Sequence, residues 1–267
     1  LNDEEIAIIP RTGDFRIITI SDQKRTPYVQ KLEMNLTAIE KGGFDHFMMK
    51  EIYEQPRSIK DSMRGRLRID LQKIILGGIS EYEDKMASAK RIIMVACGTS
   101  WHAALVGEYL FEDIARIPVE VEYGSEFRYR NPIITEDDIV IAISQSGETA
   151  DTLAAIRMAK EKGATIIGIC NVVGSSIARE THAGSYTHAG PEIGVASTKA
   201  FTTQITVLTL IALSLAKHKG TITQSRFHQI LNELALVPDM VERVLQTNDQ
   251  IEFIASIFKD ARNFLYL

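Results

Sequence analysis

A chain of 267 residues, 45% of them hydrophobic and 24% charged, is long enough to bury a sizeable core and has the composition of an ordinary globular protein. The net charge of −5 and the absence of lysine and arginine blocks argue against a nucleic-acid-binding surface. The two cysteines, Cys97 and Cys170, fit neither a zinc motif nor a dense disulphide framework. This usage favours a reducing, cytoplasmic location.

The chain opens with the pattern of a β-hairpin followed by a linker. Ile6–Ile9 and Phe15–Ile20 have the composition of short strands and are joined by a turn segment rich in Pro, Gly and Asp. Residues 21–43 are polar without periodicity and end in two glycines, which predicts a linker.

The next stretch has helical periodicity. It runs from Phe44 to about Lys90, and we expect breaks at Gln55-Pro56 and near Gly77-Gly78, where helix-breaking residues interrupt the pattern.

Between residues 91 and 190, short apolar runs alternate with helical segments. Each run is bounded by turn residues, as in strands buried on both faces of a sheet. The alternation predicts an α/β fold with a parallel sheet flanked by helices. The predicted strands are Ile92–Ala96, Val119–Val121, Ile139–Ile143 and Ile166–Ile169, and the predicted helices are Trp101–Arg116, Ala150–Lys162, Thr198–Lys217 and Gln224–Gln246.

Neither a membrane segment nor a leader is expected. The longest apolar stretch, Ile205–Ala216, is interrupted by hydroxyl residues and is too short to span a bilayer, so it predicts a buried helix. The first residues, Leu1–Glu5, are acidic and lack the apolar core of a signal peptide.

Two loops rich in hydroxyl groups follow predicted strands and lead into predicted helices. Ser144–Thr149, with the sequence SQSGET, is by itself equally typical of a helix cap and of an anion-binding turn. Cys97–Ser100 occupies the equivalent position after the first strand of the sheet. Because neighbouring parallel strands bring such loops to one edge, the two together favour a phosphate or sugar-phosphate site.

Three charged residues near these loops need an explanation. Glu148 and Asp151 would repel a phosphate, so we expect both carboxylates to be turned away from it. Lys199 lies in the first turn of a predicted helix, against the helix dipole. It is either a surface lysine or a residue of the site or of an ion pair, and the sequence leaves both interpretations open.

Other candidates favour structural roles. Cys97 has no histidine in a recognisable partner position, and His182 and His188 lack the spacing of a metal site. Glu126–Arg130 is typical of a packed amphipathic turn or an interface. Thr202–Gln204 either faces a ligand or bonds to its own helix carbonyls.

Five stretches of the sequence form a pattern that can be compared with known families: Glu51–Pro56, Ala96–Ser100, Ser125–Arg130, Ser144–Asp151 and Glu192–Gln204. The Ser-Gln-Ser-Gly-Glu-Thr stretch alone is similar to many sugar-isomerase (SIS) domains. With all five stretches the chain resembles the glutamine–fructose-6-phosphate aminotransferases, which are also called glucosamine-6-phosphate synthases.

The resemblance implies a domain organisation and a fold. Residues 1–20 would be the end of a glutaminase-type domain, residues 21–43 a linker, and residues 44–250 a complete first SIS domain with a doubly wound, three-layer sandwich. Residues 251–267 would begin a second, truncated SIS domain, with Phe264–Leu267 as the start of a strand.

The resemblance also implies a set of sugar-phosphate contacts. Ser144, Ser146 and Thr149 would hold the phosphate, and Val195 and Ser197 would lie against the sugar. The family's acid/base residues and Schiff-base lysine belong to regions outside this chain, so no catalytic residue is expected here, nor a metal or organic cofactor. The implied contact residues are Cys97, Gly98, Thr99, Ser100, Ser144, Gln145, Ser146, Thr149, Val195 and Ser197.

The implied reaction of the parent protein converts fructose-6-phosphate and glutamine to glucosamine-6-phosphate and glutamate. We expect this chain to bind the sugar phosphate without catalysing either half of the reaction. Its expected partners are the glutaminase and second SIS domains and a second copy in a homodimer, with no nucleic acid or membrane. One alternative is a non-enzymatic SIS-type sugar-phosphate sensor, but the sequence shows no basic DNA-reading element. Another is a one-domain isomerase, for which we find no acid/base pair.

Overall fold

The computed structural model describes residues 4–26 and 40–265 of the chain. Two compact units are formed, Leu1–Ala38 and Ile39–Leu267. The first unit holds a three-stranded antiparallel sheet in which β1 pairs with β2 and β2 with β3. Its strands are β1 (Glu5–Ile8), β2 (Arg16–Thr19) and β3 (Lys24–Arg25).

The predicted hairpin is confirmed as β1 and β2, with Ile6 opposite Ile18. Strand β3 falls inside the range predicted as a linker, because a two-residue strand of charged residues has no apolar alternation to reveal it. Residues 27–39 of the predicted linker lie outside the described residues.

The second unit alternates strands with helices, as the apolar runs predicted. Between α1 and β6 the chain forms a small hairpin and one 3₁₀ turn, and α3 continues into a π-turn at Phe111–Ala115. The elements in chain order are α1 (Phe47–Met63), β4 (Leu67–Arg68), β5 (Lys73–Ile74), α2 (Glu83–Ala87), β6 (Ile92–Ala96), α3 (Thr99–Leu110), β7 (Val119–Tyr123), α4 (Gly124–Tyr129), β8 (Ile139–Ser144), α5 (Ala150–Glu161), β9 (Thr165–Cys170), α6 (Ser176–Glu180), β10 (Ala183–Tyr186), α7 (Lys199–Lys219), α8 (Gln224–Leu245) and α9 (Asn248–Phe258).

The central sheet has five parallel strands in the order β10-β9-β8-β6-β7. Strand β6 is flanked by β7 on one side and β8 on the other, so the order of winding reverses between β6 and β8. In open parallel sheets a crevice for ligands forms at the carboxyl ends of the two strands where the order reverses. The predicted α/β fold with helices around a parallel sheet is confirmed, and the loops after β6 and β8 border the reversal point.

Helices cover both faces of the sheet because the strand side chains are apolar on both. On one face, residues such as Met94 and Ile141 pack with α3 and α7. On the other, Ile93 and Val140 pack with α5. Helix α7 is long and apolar enough to cross a membrane, but 72% of its most apolar window is buried inside the protein. This burial confirms the predicted core helix.

Helix α1 passes through Pro56, where the sequence predicted a break. A proline removes the N–H that would bond the carbonyl four residues earlier. Here that carbonyl, of Ile52, accepts a hydrogen bond of 3.1 Å from the side-chain amide of Gln55. The prediction was wrong because a neighbouring side chain replaces the missing backbone donor.

Three other predictions around the sheet need correction. Residues 64–79 form the β4–β5 hairpin rather than a helix. Strand β10, with the sequence AGSY, was not predicted, because it carries no apolar run. Helix α9 occupies residues 248–258, and the described residues beyond it, through Leu265, form no strand.

A buried carboxylate fixes the amino end of β8. Asp138 is 3% exposed and accepts bonds from Arg91 Nε at 2.8 Å and from the Thr135 N–H at 2.7 Å. Burial alone would raise the pKa of Asp138, but the bonds from Arg91 and Thr135 outweigh it and hold that pKa below its ordinary value. The ionised form is therefore stabilised by folding.

Asp138→Asn is expected to lower the free energy of unfolding at pH 7 by about 2–4 kcal/mol. An amide cannot replace a buried carboxylate that accepts hydrogen bonds from both Arg91 and Thr135. Since the folded pKa is depressed, this stabilisation is present above the unfolded pKa of about 3.9 and is lost as the pH falls through the lower folded value. Urea unfolding at pH 7 and pH 3 measures it. Asp137→Asn, at a neighbouring position where the side chain is 52% exposed, is the matched control with only a minor change expected. Equal losses for the two variants would contradict the role of Asp138.

Candidate functional site

The loop after β6 carries Cys97, Gly98, Thr99 and Ser100. Gly98 has φ +59° and ψ −135°, a conformation open essentially to glycine alone, and it stands directly before α3. Ser100, in the first turn of α3, is 6% exposed, and its hydroxyl accepts a hydrogen bond of 2.9 Å from the Gln204 amide. The first N–H groups of α3 precede any acceptor within the helix, so this loop carries the positive end of a helix dipole.

In the loop after β8, hydroxyl groups hold a turn together. The Ser144 hydroxyl accepts the Gly147 N–H at 3.0 Å and lies 3.0 Å from the Thr149 hydroxyl, and the Ser146 hydroxyl accepts the Glu148 N–H at 3.2 Å. Thr149 directly precedes α5, but its side chain forms no capping bond. The structure therefore supports the turn and not the helix cap that the sequence also allowed.

These bonds leave protons for a ligand. A hydroxyl that accepts a backbone N–H keeps its own O–H as a donor, as Ser146 does, and one proton of the Ser144–Thr149 pair also stays available. The first hydrogen bond within α5 runs from the Leu153 N–H to the Thr149 carbonyl at 2.9 Å. The N–H groups of residues 150–152 therefore have no acceptor within the helix. Neutral donors at a helix N-terminus suit a phosphate.

Gly147 makes this turn possible. Its φ is +67°, and a Cβ there would overlap the buried side chain of Ser175 and come within 3.6 Å of the Cys170 sulphur. Both the backbone conformation and the space around it therefore require glycine.

Both carboxylates next to the turn are engaged elsewhere, as a phosphate site requires. The Glu148 carboxylate accepts the Ser176 N–H at 2.8 Å, and hydrogen bonds from Ser176 lower the pKa of Glu148 below its ordinary value. Asp151 pairs with Arg128 at 3.3 Å. Because of these bonds, neither carboxylate points at the hydroxyl groups of the 144–149 loop.

The third segment, residues 192–199 at the start of α7, is held by a carboxylate of its own. Glu192 accepts the N–H groups of Thr198 at 2.9 Å and Ala200 at 3.1 Å, and also the hydroxyl of Ser197 at 2.7 Å. Its charge thereby occupies the N-terminus of α7. Val195, between these contacts, is fully exposed.

Helix α1 holds both ends of the same segment. Glu51, 2% exposed, accepts the N–H of Ile193 at 2.5 Å and of Gly194 at 3.1 Å. Lys199, 3% exposed, donates to Glu54 at 2.6 Å. Lys199 is therefore a buried ion-pair residue, and the surface-lysine interpretation is wrong.

Asn171, directly after β9, connects the 144–149 loop to residues 189 and 190, just before the third segment. Its backbone N–H bonds the Gln145 carbonyl at 3.2 Å. Its side chain donates to the Gly190 carbonyl at 2.7 Å and accepts the Ala189 N–H at 2.8 Å. Sequence reasoning missed this residue, since one asparagine after a strand is an ordinary turn residue.

The remaining candidates have structural surroundings. Burial raises the pKa of Cys170 to about 11, so its thiol is a poor nucleophile. Phe127, in the 126–130 segment, is completely buried, so this segment is packed, and residues 126–129 belong to α4 and not to a turn. The hydroxyl of Thr203 bonds the Lys199 carbonyl, as expected for helical threonines. Among the described residues no cluster of three His, Cys, Asp or Glu side chains could hold a metal ion.

The structure brings the predicted segments to one edge of the sheet. Cys97 Sγ lies 3.7 Å from the Thr152 hydroxyl in the first turn of α5, which joins the first two loops. Ser100 is joined to α7 through Gln204. A cavity of about 150 Å³ beside β10 is lined by other residues, such as His182 and Ser185.

Comparison with known proteins agrees with this geometry. Residues 85–214 match the SIS domain family. Over its full length the chain is 58% identical to glutamine–fructose-6-phosphate aminotransferase [isomerizing] from Chlorobaculum tepidum, and 55% identical to that from Bacteroides thetaiotaomicron, of which it covers 43% and 44%. The C-terminal domain of glucosamine-fructose-6-phosphate aminotransferase from Francisella tularensis is 38% identical, with a TM-score of 0.78 over 83% of this chain and 62% of that one.

The fold and the strand-end loops define a SIS-domain protein, with a parallel sheet whose reversal point is bordered by hydroxyl-rich turns. The chain spans less than half the length of the curated relatives it matches. Over its whole length it matches a part of the glutamine–fructose-6-phosphate aminotransferases.

Proposed function

We propose that this chain binds fructose-6-phosphate as the sugar-phosphate-binding part of an enzyme that forms glucosamine-6-phosphate and glutamate from fructose-6-phosphate and glutamine. One observation carries the proposal: two loops rich in hydroxyl groups, at 97–100 and 144–149, border the point where the strand order reverses, and each leads into a helix N-terminus. The relatives' names include fructose-6-phosphate, and their match over the whole chain favours the aminotransferase over a sensor.

In this proposal the hydroxyl groups of Ser144, Ser146 and Thr149 and the N-terminus of α5 hold the phosphate. Residues 97–100 complete the contacts on the other side of the reversal point. Val195 and Ser197 lie against the sugar, in a segment that Glu51 and Glu54 of α1 and its own Glu192 hold in place. Neutral donors bind the phosphate without a competing carboxylate, since Glu148 and Asp151 are bonded elsewhere.

We also infer that the chain binds without catalysing on its own. The lysine nearest these segments, Lys199, is buried in an ion pair with Glu54, which disfavours a role as a nucleophilic amine. The acid/base groups and a free lysine would come from the rest of the parent enzyme.

We further propose a homodimer in the cytoplasm. The two cysteines, Cys97 and Cys170, are free thiols, as is usual in a reducing compartment. Exposed apolar side chains on α8 and α9, such as Val244 and Phe253, supply surface for assembly with a second copy or with further domains.

The test is calorimetric titration of the 267-residue chain with fructose-6-phosphate, with glucosamine-6-phosphate and with unphosphorylated fructose. Ser146→Ala is expected to weaken binding of both phosphates about tenfold or more, because a hydrogen bond to a charged group is removed. The exposed Ser88→Ala is the matched control, with unchanged affinity expected. Equal binding of fructose-6-phosphate by wild type and Ser146→Ala would contradict the phosphate role.

A further inference from the structure

Gln204 is a buried amide that reaches from α7 to the first loop. Its side chain is 1% exposed, and Nε2 donates to Ser100 Oγ at 2.9 Å across 104 positions of sequence. The other amide atom, Oε1, is buried without a hydrogen-bond partner among the described residues. Burying an amide that is only half bonded is costly, so packing alone would favour an apolar residue at this position.

The direction of this bond decides what Ser100 can do. An amide nitrogen only donates, so the Ser100 hydroxyl is the acceptor and keeps its own proton. Gln204 is the partner that the described structure gives this hydroxyl. Thr203 and Thr206, on the same helix as Gln204, instead donate their protons to helix carbonyls. The proton of Ser100 is therefore free at the N-terminus of α3.

We propose that Gln204 is a positioning residue for the sugar-phosphate site: its amide N–H commits the Ser100 hydroxyl to act as a donor to the bound ligand. The inference rests on the proposed function and assigns a role to a residue that does not itself contact the ligand. Phosphate and sugar oxygens accept such a bond, so Ser100 favours a ligand that places a hydrogen-bond acceptor next to its hydroxyl. It also joins the 97–100 loop to the helix that follows Val195 and Ser197.

The experiment reverses the polarity of the bond. In Gln204→Glu a carboxylate accepts the Ser100 proton, so the hydroxyl no longer donates to the ligand. Affinity for fructose-6-phosphate, measured by calorimetry on the same full chain, is expected to fall about tenfold. Gln204→Met, which removes the bond without adding charge, is expected to weaken binding about two- to fivefold and serves as the test should the Glu variant fail to fold.

Combination with Ser100→Ala separates positioning from general structural damage. If Gln204 acts through Ser100, the uncharged substitution Gln204→Met adds less than about a twofold change in the Ser100→Ala background. Wild-type affinity in Gln204→Glu, or losses that multiply fully in the double variant, would overturn the role of Gln204 alone. Absence of fructose-6-phosphate binding by the wild-type chain would overturn both this role and the proposed function.

Discussion

Gly147→Ala is expected to lower the free energy of unfolding by about 2–4 kcal/mol, because the new methyl group adds both backbone strain and overlap in a filled interior. The φ of +67° disfavours any residue with a Cβ, and that Cβ would meet the buried Ser175 side chain. Because the Ser144 hydroxyl bonds the Gly147 N–H, the turn that carries the site would move as well. Thermal or urea unfolding measures the stability, and titration with fructose-6-phosphate measures the expected loss of binding.

Two further variants separate the contributions. Gly220→Ala has a similar φ of +71°, and no described atom lies within 4 Å of its Cβ, so it reports strain alone, about 1–2 kcal/mol. The double variant Gly147→Ala/Ser175→Gly removes the obstacle, and the Ser175 side-chain interaction lost with it is a weak one, with the Cys170 thiol. We expect the double variant to recover to the level of Gly220→Ala. A Gly147→Ala variant no less stable than Gly220→Ala would contradict the steric argument.

The sheet and the two hydroxyl-rich loops could be predicted because they depend on local pattern and on one rule of topology. Continuous apolar runs such as Ile139–Ile143 identify strands buried on both faces, and the polar residues after them mark the strand ends. Since parallel neighbours carry their loops at one edge, the sequence alone suffices to place the 97–100 and 144–149 loops together.

Features that depend on the close approach of distant backbones, or on the conformation of one side chain, could not be predicted. Strand β10 is polar, and the backbones on either side of it approach very closely. A Cβ on Gly184 would overlap the Gly168 carbonyl, and a Cβ on Gly78 would overlap the Gly184 carbonyl. Nothing in the AGSY pattern indicates that approach. Helix α1 continues through Pro56 because Gln55 satisfies one particular carbonyl, which is a matter of side-chain conformation rather than of propensity.

In the candidate site, too, some features could be predicted from the sequence and others could not. The hydroxyl residues could be predicted from their positions after strands, whereas the groups that hold the third segment could not. Glu51 and Glu54 lie on a helix far away in sequence from the residues they bond, with separations of 142 to 145 positions. The role of Lys199 stays open in the sequence, because whether its charge stabilises or destabilises the protein depends on Glu54, which lies next to it only in the fold.

Glu54→Gln is expected to destabilise the protein more than Lys199→Met, although both break the same ion pair. The two partners differ in burial: the Lys199 side chain is 4% exposed and that of Glu54 is 31% exposed. Loss of Glu54 leaves a buried ammonium without its counter-charge, which costs about 3–5 kcal/mol. Loss of Lys199 leaves Glu54 partly solvated and still 3.6 Å from Lys50, and methionine fills the vacated volume.

Urea unfolding of both single variants and of Glu54→Gln/Lys199→Met measures the asymmetry. The double variant is expected to be close to Lys199→Met. Once the Lys199 ammonium is gone, a neutral residue at 54 gives up the longer contact of 3.6 Å with Lys50, whose ammonium still donates to the Glu40 carbonyl at 2.6 Å. Equal losses for the two single variants would show that the cost comes from the broken bond and not from the buried charge. Because α7 begins at Lys199, Glu54→Gln should also weaken fructose-6-phosphate binding, through displacement of the segment that carries Val195 and Ser197.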